Sequence, residues 1–251
     1  MEFAFPKIEN RTVYPRTFLK DVRISLCFRP VLSSEDAIKR FIDFRKECFN
    51  IPLEENAMLK PSGEDGSAKI ASSDNQVLFY FFLDSVSLKI KFPTYKQIGN
   101  LMSFMPVVYE FLKSQGIDSI EKLRITKFNE IQYGFQSDSS SVELAMEGIF
   151  SRELMTWDGF KNPDFSDVAR WERRVDFSDD HSQANAMVMY GFVKDDNDRR
   201  KGSLTLKTSV EQIKSIKCTC IEEELDLCNV FVDSAFHWSA SSAILNAMQK
   251  K

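Results

Sequence analysis

Seven consecutive residues, Val77, Leu78, Phe79, Tyr80, Phe81, Phe82 and Leu83, run together without a charge. A sheet tolerates such a strand only where both of its faces are covered, so the chain has to build layers around it. The sequence on either side supplies them. Val86, Leu88, Ile90 and Phe92 alternate with Ser87, Lys89 and Lys91, the period of a strand with one buried face. Asp84-Ser85 is too polar to continue the apolar run, so strands at about 68–73, 76–83 and 85–92 are expected to form a meander.

A helix is predicted next. Thr94 and Gln97 have capping-box spacing, Gly116 suits the C-terminal cap, and Ile98, Leu101, Met102, Met105, Val108, Tyr109 and Leu112 form one apolar face. Phe104, Val107 and Phe111 lie to the side of that face. Either the helix is sandwiched, or these three meet a partner. Pro106 removes one backbone donor and predicts a kink.

Upstream, Val22, Ile24, Leu26 and Phe28 alternate with polar residues up to Pro30. A helix follows, capped by Ser33 or Ser34, with an apolar stripe of Ala37, Ile38, Phe41, Phe44, Cys48 and Phe49. Pro52, Pro61, Gly63 and Gly66 mark residues 50–67 as a long loop. From Leu123 a further strand alternates through Ile125, Ile131, Tyr133 and Phe135, with Lys127 and Asn129 in the inward phase. Either a bulge resets the strand there, or Lys127 and Asn129, with Glu130 beside them, mark a pocket or polar interface.

The second half reads as strands near 142–150, 172–178, 184–193 and 202–207, with a hairpin loop over Asp195 to Gly202. Ser209 and Gln212 suggest a capped short helix carrying Ile213 and Ile216, followed by a strand near 228–237 and a terminal helix from Ser239. The fold class is therefore α+β, with mainly antiparallel sheets, packed helices and two similar-sized lobes. The polar run Ser137 to Ser141 divides residues 1–136 from 142–251, although a chain of 251 residues with 43% hydrophobic content can also close as one continuous domain.

Composition narrows the function. A formal net charge of -4 disfavours a general nucleic-acid or anionic-membrane binder, which needs an excess of Lys and Arg. No basic leader and no uncharged run long enough to span a bilayer is present, so a cytoplasmic location without membrane contact is expected. Five cysteines fit reduced thiols better than a disulfide framework. Cys218, Cys220, Cys228 and His237 form the one metal-like grouping, in a spacing that matches no zinc signature, so neither metal nor cofactor is expected. Two histidines, and no G-x-S-x-G, P-loop or G-x-G-x-x-G, leave no catalytic residue to name. Asp179-Asp180-His181 reads as a solvated turn and Asp195-x-Asn197 as another. Arg170, Trp171, Arg173 and Arg174, with Arg199, Arg200 and Lys201, could hold phosphate and stack a base. In the other reading Trp171 packs inside the protein and the arginines are solvated, with Asp167, Glu172 and Asp176 offsetting their charge.

Several strings carry a resemblance: Tyr14-Pro15-Arg16 leading into Val22 to Pro30, Ser72-Ser73-Asp74 through Tyr95, Arg124 to Ile131, and Val230-Phe231-Val232-Asp233. In these the chain resembles an uncharacterised, sporadically distributed bacterial family of about this length. Where that family carries Arg-Tyr-x-Asn, this chain has Lys127-Phe128-Asn129. The resemblance implies no reaction. Its patchy distribution implies a defence or toxin-related setting. The leading expectation is a non-enzymatic subunit or regulator that binds another protein, its own copy or a different one, through Phe104, Val107, Phe111, Lys127, Asn129 and Glu130. The alternative is a nucleic-acid-binding protein or metal-dependent nuclease using the basic residues.

Overall fold

The structure, a computed structural model, describes residues 1–8, 14, 17–47, 59–61, 69–134, 141–159, 164–165, 167–198 and 200–250. In chain order it contains β1 (Leu19–Cys27), α1 (Ser34–Glu47), β2 (Leu59–Pro61), β3 (Lys69–Ser72), β4 (Val77–Phe81), β5 (Ser85–Lys91), α2 (Ile98–Met102), α3 (Met105–Ser114), β6 (Ser119–Ile120) and β7 (Lys122–Gly134). It continues with α4 (Val142–Ile149), α5 (Arg152–Met155), β8 (Arg170–Asp179), β9 (Ala184–Lys194), β10 (Lys201–Gln212), β11 (Ile216–Lys217), α6 (Ile221–Ser239) and α7 (Ser242–Gln249). Single 3-10 turns occupy Trp157–Gly159 and Cys218–Cys220. The fold is α+β with antiparallel sheet, as the alternating strands require.

Two compact units divide the chain, and each is discontinuous. Unit 1 holds Met1–Lys20, Thr126–Val210 and Val230–Lys251; unit 2 holds Asp21–Ile125 and Glu211–Asn229. Strands from before and after the polar run at 137–141 both belong to unit 1, in the order β7-β10-β9-β8.

In unit 2 the strand order is β2-β3-β4-β5-β1. The covering of both faces that the run predicts holds for only part of it: Val77, Leu78, Phe79 and Phe81 are buried, Tyr80 is half-buried, and Phe82 and Leu83 beyond the strand's end are 54% and 44% exposed. Its register places Val77 opposite Ile90, Phe79 opposite Leu88 and Phe81 opposite Val86, and β5 in turn pairs with β1. These apolar pairs form one face. Phe44 of α1 and Phe111 of α3 close over it, with Phe81 and Phe111 centroids 4.6 Å apart and Phe44 5.5 Å from Phe111. On the opposite face the ladder is polar, with Ser25 and Ser87 hydroxyls 2.8 Å apart and Lys89 2.8 Å from Asp21.

The predicted helix over 94–116 breaks in two. Pro106 sits in the first turn of α3, where its missing N–H costs nothing, so the chain restarts a helix there and does not merely kink. Its cap also differs from the Thr94–Gln97 box: the Asn100 carboxamide oxygen accepts from the N–H groups of Lys96 and Gln97. At the other end Gly116 adopts φ 71°, and the Ile117 and Gly116 amides donate to the Leu112 and Lys113 carbonyls at 2.9 and 3.0 Å, a Schellman closure.

Unit 1 corrects three sequence expectations. Residues 142–149 form helix α4, not a strand, because Val142 and Met146 are buried at a spacing of four. Ser209 caps no helix; its hydroxyl lies 3.0 Å from that of Thr126, and β10 runs on to Gln212. The expected strand at 228–237 is the second half of α6. Ile221, Leu225, Cys228, Val232, Ala235 and Ser239 are buried at alternating spacings of four and three, the stripe of a helix that outweighs the β propensity of Val230-Phe231-Val232. The terminal helix α7 is capped by Ser241, whose hydroxyl accepts from Ile244 N–H.

β8 and β9 pair over ten residues, Arg170 with Val193 through Asp179 with Ala184. Gly191 permits this closeness: a Cβ there would strike the carbonyl of Trp171. Behind the inner face, Trp157, Phe177, Trp238 and Phe5 contact one another edge to face or tilted, at centroid distances of 5.1–6.2 Å. None of the described helices is long and apolar enough to cross a membrane.

Candidate functional site

Two features of unit 1 collect the chemistry. The first lies where β7 meets α6. Along β7 the inward phase is kept through Leu123, Ile125, Lys127 and Asn129, so the break in apolar pattern is not a bulge that turns the polar residues outward. Lys127 Nζ sits 2.5 Å from Asp233 Oδ1, the two side chains being 11% and 24% exposed. Asn129 is buried and donates to the Leu206 carbonyl at 3.4 Å. Glu130 takes the opposite phase, where it pairs with Lys20 at 3.2 Å and with Gln132, and so does not join Lys127 and Asn129.

Helical geometry puts His237 one turn beyond Asp233 on α6. Its Nε2 lies 3.1 Å from the Tyr14 hydroxyl. Burial lowers the His237 pKa, and Lys127 adds to that effect while Asp233 opposes it. Burial raises the Tyr14 pKa, reinforced by the Asp233 charge. The imidazole is thus held neutral and the phenol protonated. Lys127 pairs with Asp233, and the Tyr14 hydroxyl lies within hydrogen-bond distance of His237, so β7, α6 and residue 14 are joined by a polar network.

The second feature is β8, the terminal strand in the order of unit 1. Arg170, Glu172, Arg174 and Asp176 project from its outer face, 70%, 39%, 63% and 57% exposed. Arg170 lies 3.9 Å from Glu172, and Arg174 Nε 2.8 Å from Asp176. Arg173 faces inward, donating to the Trp157 carbonyl at 2.9 Å and to the Tyr190 hydroxyl at 3.5 Å. Trp171 also turns inward, 5.0 Å from Phe165 and 5.5 Å from Tyr190 between ring centroids. At the β9–β10 hairpin Arg200 and Lys201 converge on Asp198, at 3.0 and 3.3 Å, and hold its carboxyl down at about 2. Arg199 lies outside the described residues.

These placements separate the expected sites. Trp171 is a packing residue, not a stacking platform, and its arginines are divided between two faces. Phe104, Val107 and Phe111 are buried in the core of unit 2, against Phe79, Phe28, Phe44 and Phe81, and so present no surface to a partner. A flanking position on a helix reads identically from sequence whether a second layer of the same chain or a partner covers it.

Asp179 and His181 occupy the β8–β9 turn. Asp179 accepts from Ser182 and from the amides of Glu2 and His181, which pull its carboxyl down to about 2. Asp195 closes the next turn by accepting from Asn197 N–H at 2.7 Å. Cys218 and Cys220 lie on a 3-10 turn, where the Cys218 thiol donates to the Ile117 carbonyl. Burial pushes the Cys228 thiol up to about 12. Among the described residues no three His, Cys, Asp or Glu side chains gather as metal ligands.

The sequence names His237 in a metal-like grouping and Asp233 at the end of a run that predicts a strand, and so does not bring the two together. The alternating four-and-three spacing from Ile221 to Ala235 carried the signal, and as a helix it places the two on neighbouring turns.

No protein-family model matches the chain, and no curated protein matches it, in keeping with its resemblance to an uncharacterised family. Among solved structures it is similar to a rolling circle replication initiator protein from Geobacillus stearothermophilus, at 10% identity over 82% of this chain and 78% of that one, with a TM-score of 0.24.

Proposed function

We propose that the protein is a non-enzymatic subunit or regulator that takes a protein partner along the outer edge of β8. One observation carries the reading: β8 is ten residues long and, among the described residues, terminal in its sheet, with an exposed outer face of alternating charge. A terminal strand offers a row of amides and carbonyls to another chain. The polar network around Lys127 supports the edge, because it fixes β7 to α6, whose Trp238 packs on Phe177 of β8. A nucleic-acid surface is less well supported, since Arg170, Arg174, Arg200 and Lys201 each lie beside an acid and phosphate binding needs cations in excess.

The test is Glu172→Pro. Proline tolerates a strand edge where its N–H would face outward, so the fold should survive while strand addition is blocked. Quantitative capture from extract of the source cells should recover a protein with the wild type and lose it with the variant. The defence or toxin-related setting implied by the resemblance makes products of neighbouring genes the first partners to examine. Equal recovery by both proteins, or tight binding of labelled DNA or RNA at physiological ionic strength, would overturn the reading.

A further inference from the structure

We infer that the partner along β8 is a second copy of this chain, paired antiparallel about a two-fold axis through residue 173. The inference rests on the proposed function above and adds the partner and the register.

Backbone geometry fixes which residues can pair. The Lys194 amide donates to the Ala169 carbonyl at 2.8 Å, and the register from Arg170–Val193 to Asp179–Ala184 is unbroken. Bonded pairs in an antiparallel ladder recur every second residue. Odd-numbered residues of β8 therefore bond to β9, and the amides and carbonyls of Arg170, Glu172, Arg174 and Asp176 point to the outer edge. These four also carry the exposed charges.

A two-fold axis through residue 173, normal to the sheet, sets Arg170 opposite the partner's Asp176 and Glu172 opposite the partner's Arg174. Every one of the four charges then faces its opposite. The in-strand pairs, Arg170 with Glu172 and Arg174 with Asp176, are kept, so the two strands form a checkerboard in which each charge has opposite neighbours along and across. Sliding the partner two residues one way puts Arg170 opposite Arg174 and Glu172 opposite itself. Sliding it the other way puts Glu172 opposite Asp176 and Arg174 opposite itself. Both registers are repulsive, so the pattern specifies one alignment. Arg173 lies on the axis and meets the partner's Arg173 on the other face, a like-charge pair that opposes this register; the Trp157 carbonyl and Tyr190 hydroxyl draw each guanidinium back into its own subunit, and the four charge pairs on the outer face outweigh it.

Such an interface is isologous and closed, and therefore stops at a dimer. One strand pair falls at the small end of specific interfaces, so monomer and dimer should exchange with concentration.

Sedimentation velocity over a concentration series measures this directly. The wild type should pass from monomer to dimer. Arg174→Glu, which places like charges opposite each other twice, should weaken dimerisation at least tenfold. Glu172→Arg with Arg174→Glu should restore it, because in this register the exchanged charges again meet their opposites. Circular dichroism melting shows that each variant is folded. A wild type that stays monomeric throughout, a dimer indifferent to Arg174→Glu, or a double variant that fails to recover would each overturn the inference. Recovery of a different protein lost with Glu172→Pro, from a monomeric wild type, would leave the proposed function standing and remove only the self-pairing.

Discussion

His237 is the group whose protonation should be most visible in stability. Burial holds it neutral, with its folded pKa below the ordinary value near 6.5. A group shifted this way contributes fully above its unfolded pKa, and that contribution is lost as pH falls through the folded one. Melting temperature should therefore drop from pH 7 toward pH 5, and His237→Gln should flatten that slope. An unchanged slope would show that another group controls it. Lys127 and Asp233 allow a second test. Lys127→Met takes the cation from beside the half-buried Asp233 carboxylate and should cost about 2 kcal/mol, less than for a fully buried pair because both groups keep some solvent. Lys127→Met with Asp233→Leu should regain most of that loss in urea unfolding. If the losses simply add, the two charges are not coupled.

At the scale of elements, caps and breaks decide where segments stop. Gly116 holds a left-handed φ that closes α3. Gly116→Ala should cost about 1 kcal/mol, readable as a lower denaturation midpoint, since a Cβ is strained in that conformation and the nearest neighbour it would meet is an ordinary contact. Elements with a strict period were legible from sequence: β1, β5, β8 and β9 in the period of two, and the apolar face of α3 with its glycine cap. Those in which local propensity opposes packing were not. Val230-Phe231-Val232 is β-branched and aromatic, yet its neighbours at three and four residues commit it to α6. Of the candidate site, Lys127 and Asn129 were legible because they break an apolar pattern. Tyr14 was not, because nothing in a sequence brings residue 14 to residue 237.

The whole molecule is divided in space but not in sequence. The division passes within β1, β7, β10 and α6, so each unit draws on strands and a helix that also serve the other. All three tryptophans, Trp157, Trp171 and Trp238, lie in unit 1, whereas the buried Cys228 lies in unit 2. Tryptophan fluorescence therefore reports on one unit and thiol labelling on the other. Shared elements predict that both probes give one coincident unfolding midpoint, and that Phe111→Asp in the core of unit 2 moves the two together. Midpoints that separate would show that the units unfold independently.

The same division bears on the order in which a ribosome releases the chain. Unit 2 needs residues 211–229 and unit 1 needs 230–251, so neither can close on the segments made before them. During synthesis the apolar run of β4 and the charged edge of β8 must both wait, exposed, for α6 to emerge. In the living cell that interval is when the chain is most open to wrong pairing and most dependent on a chaperone.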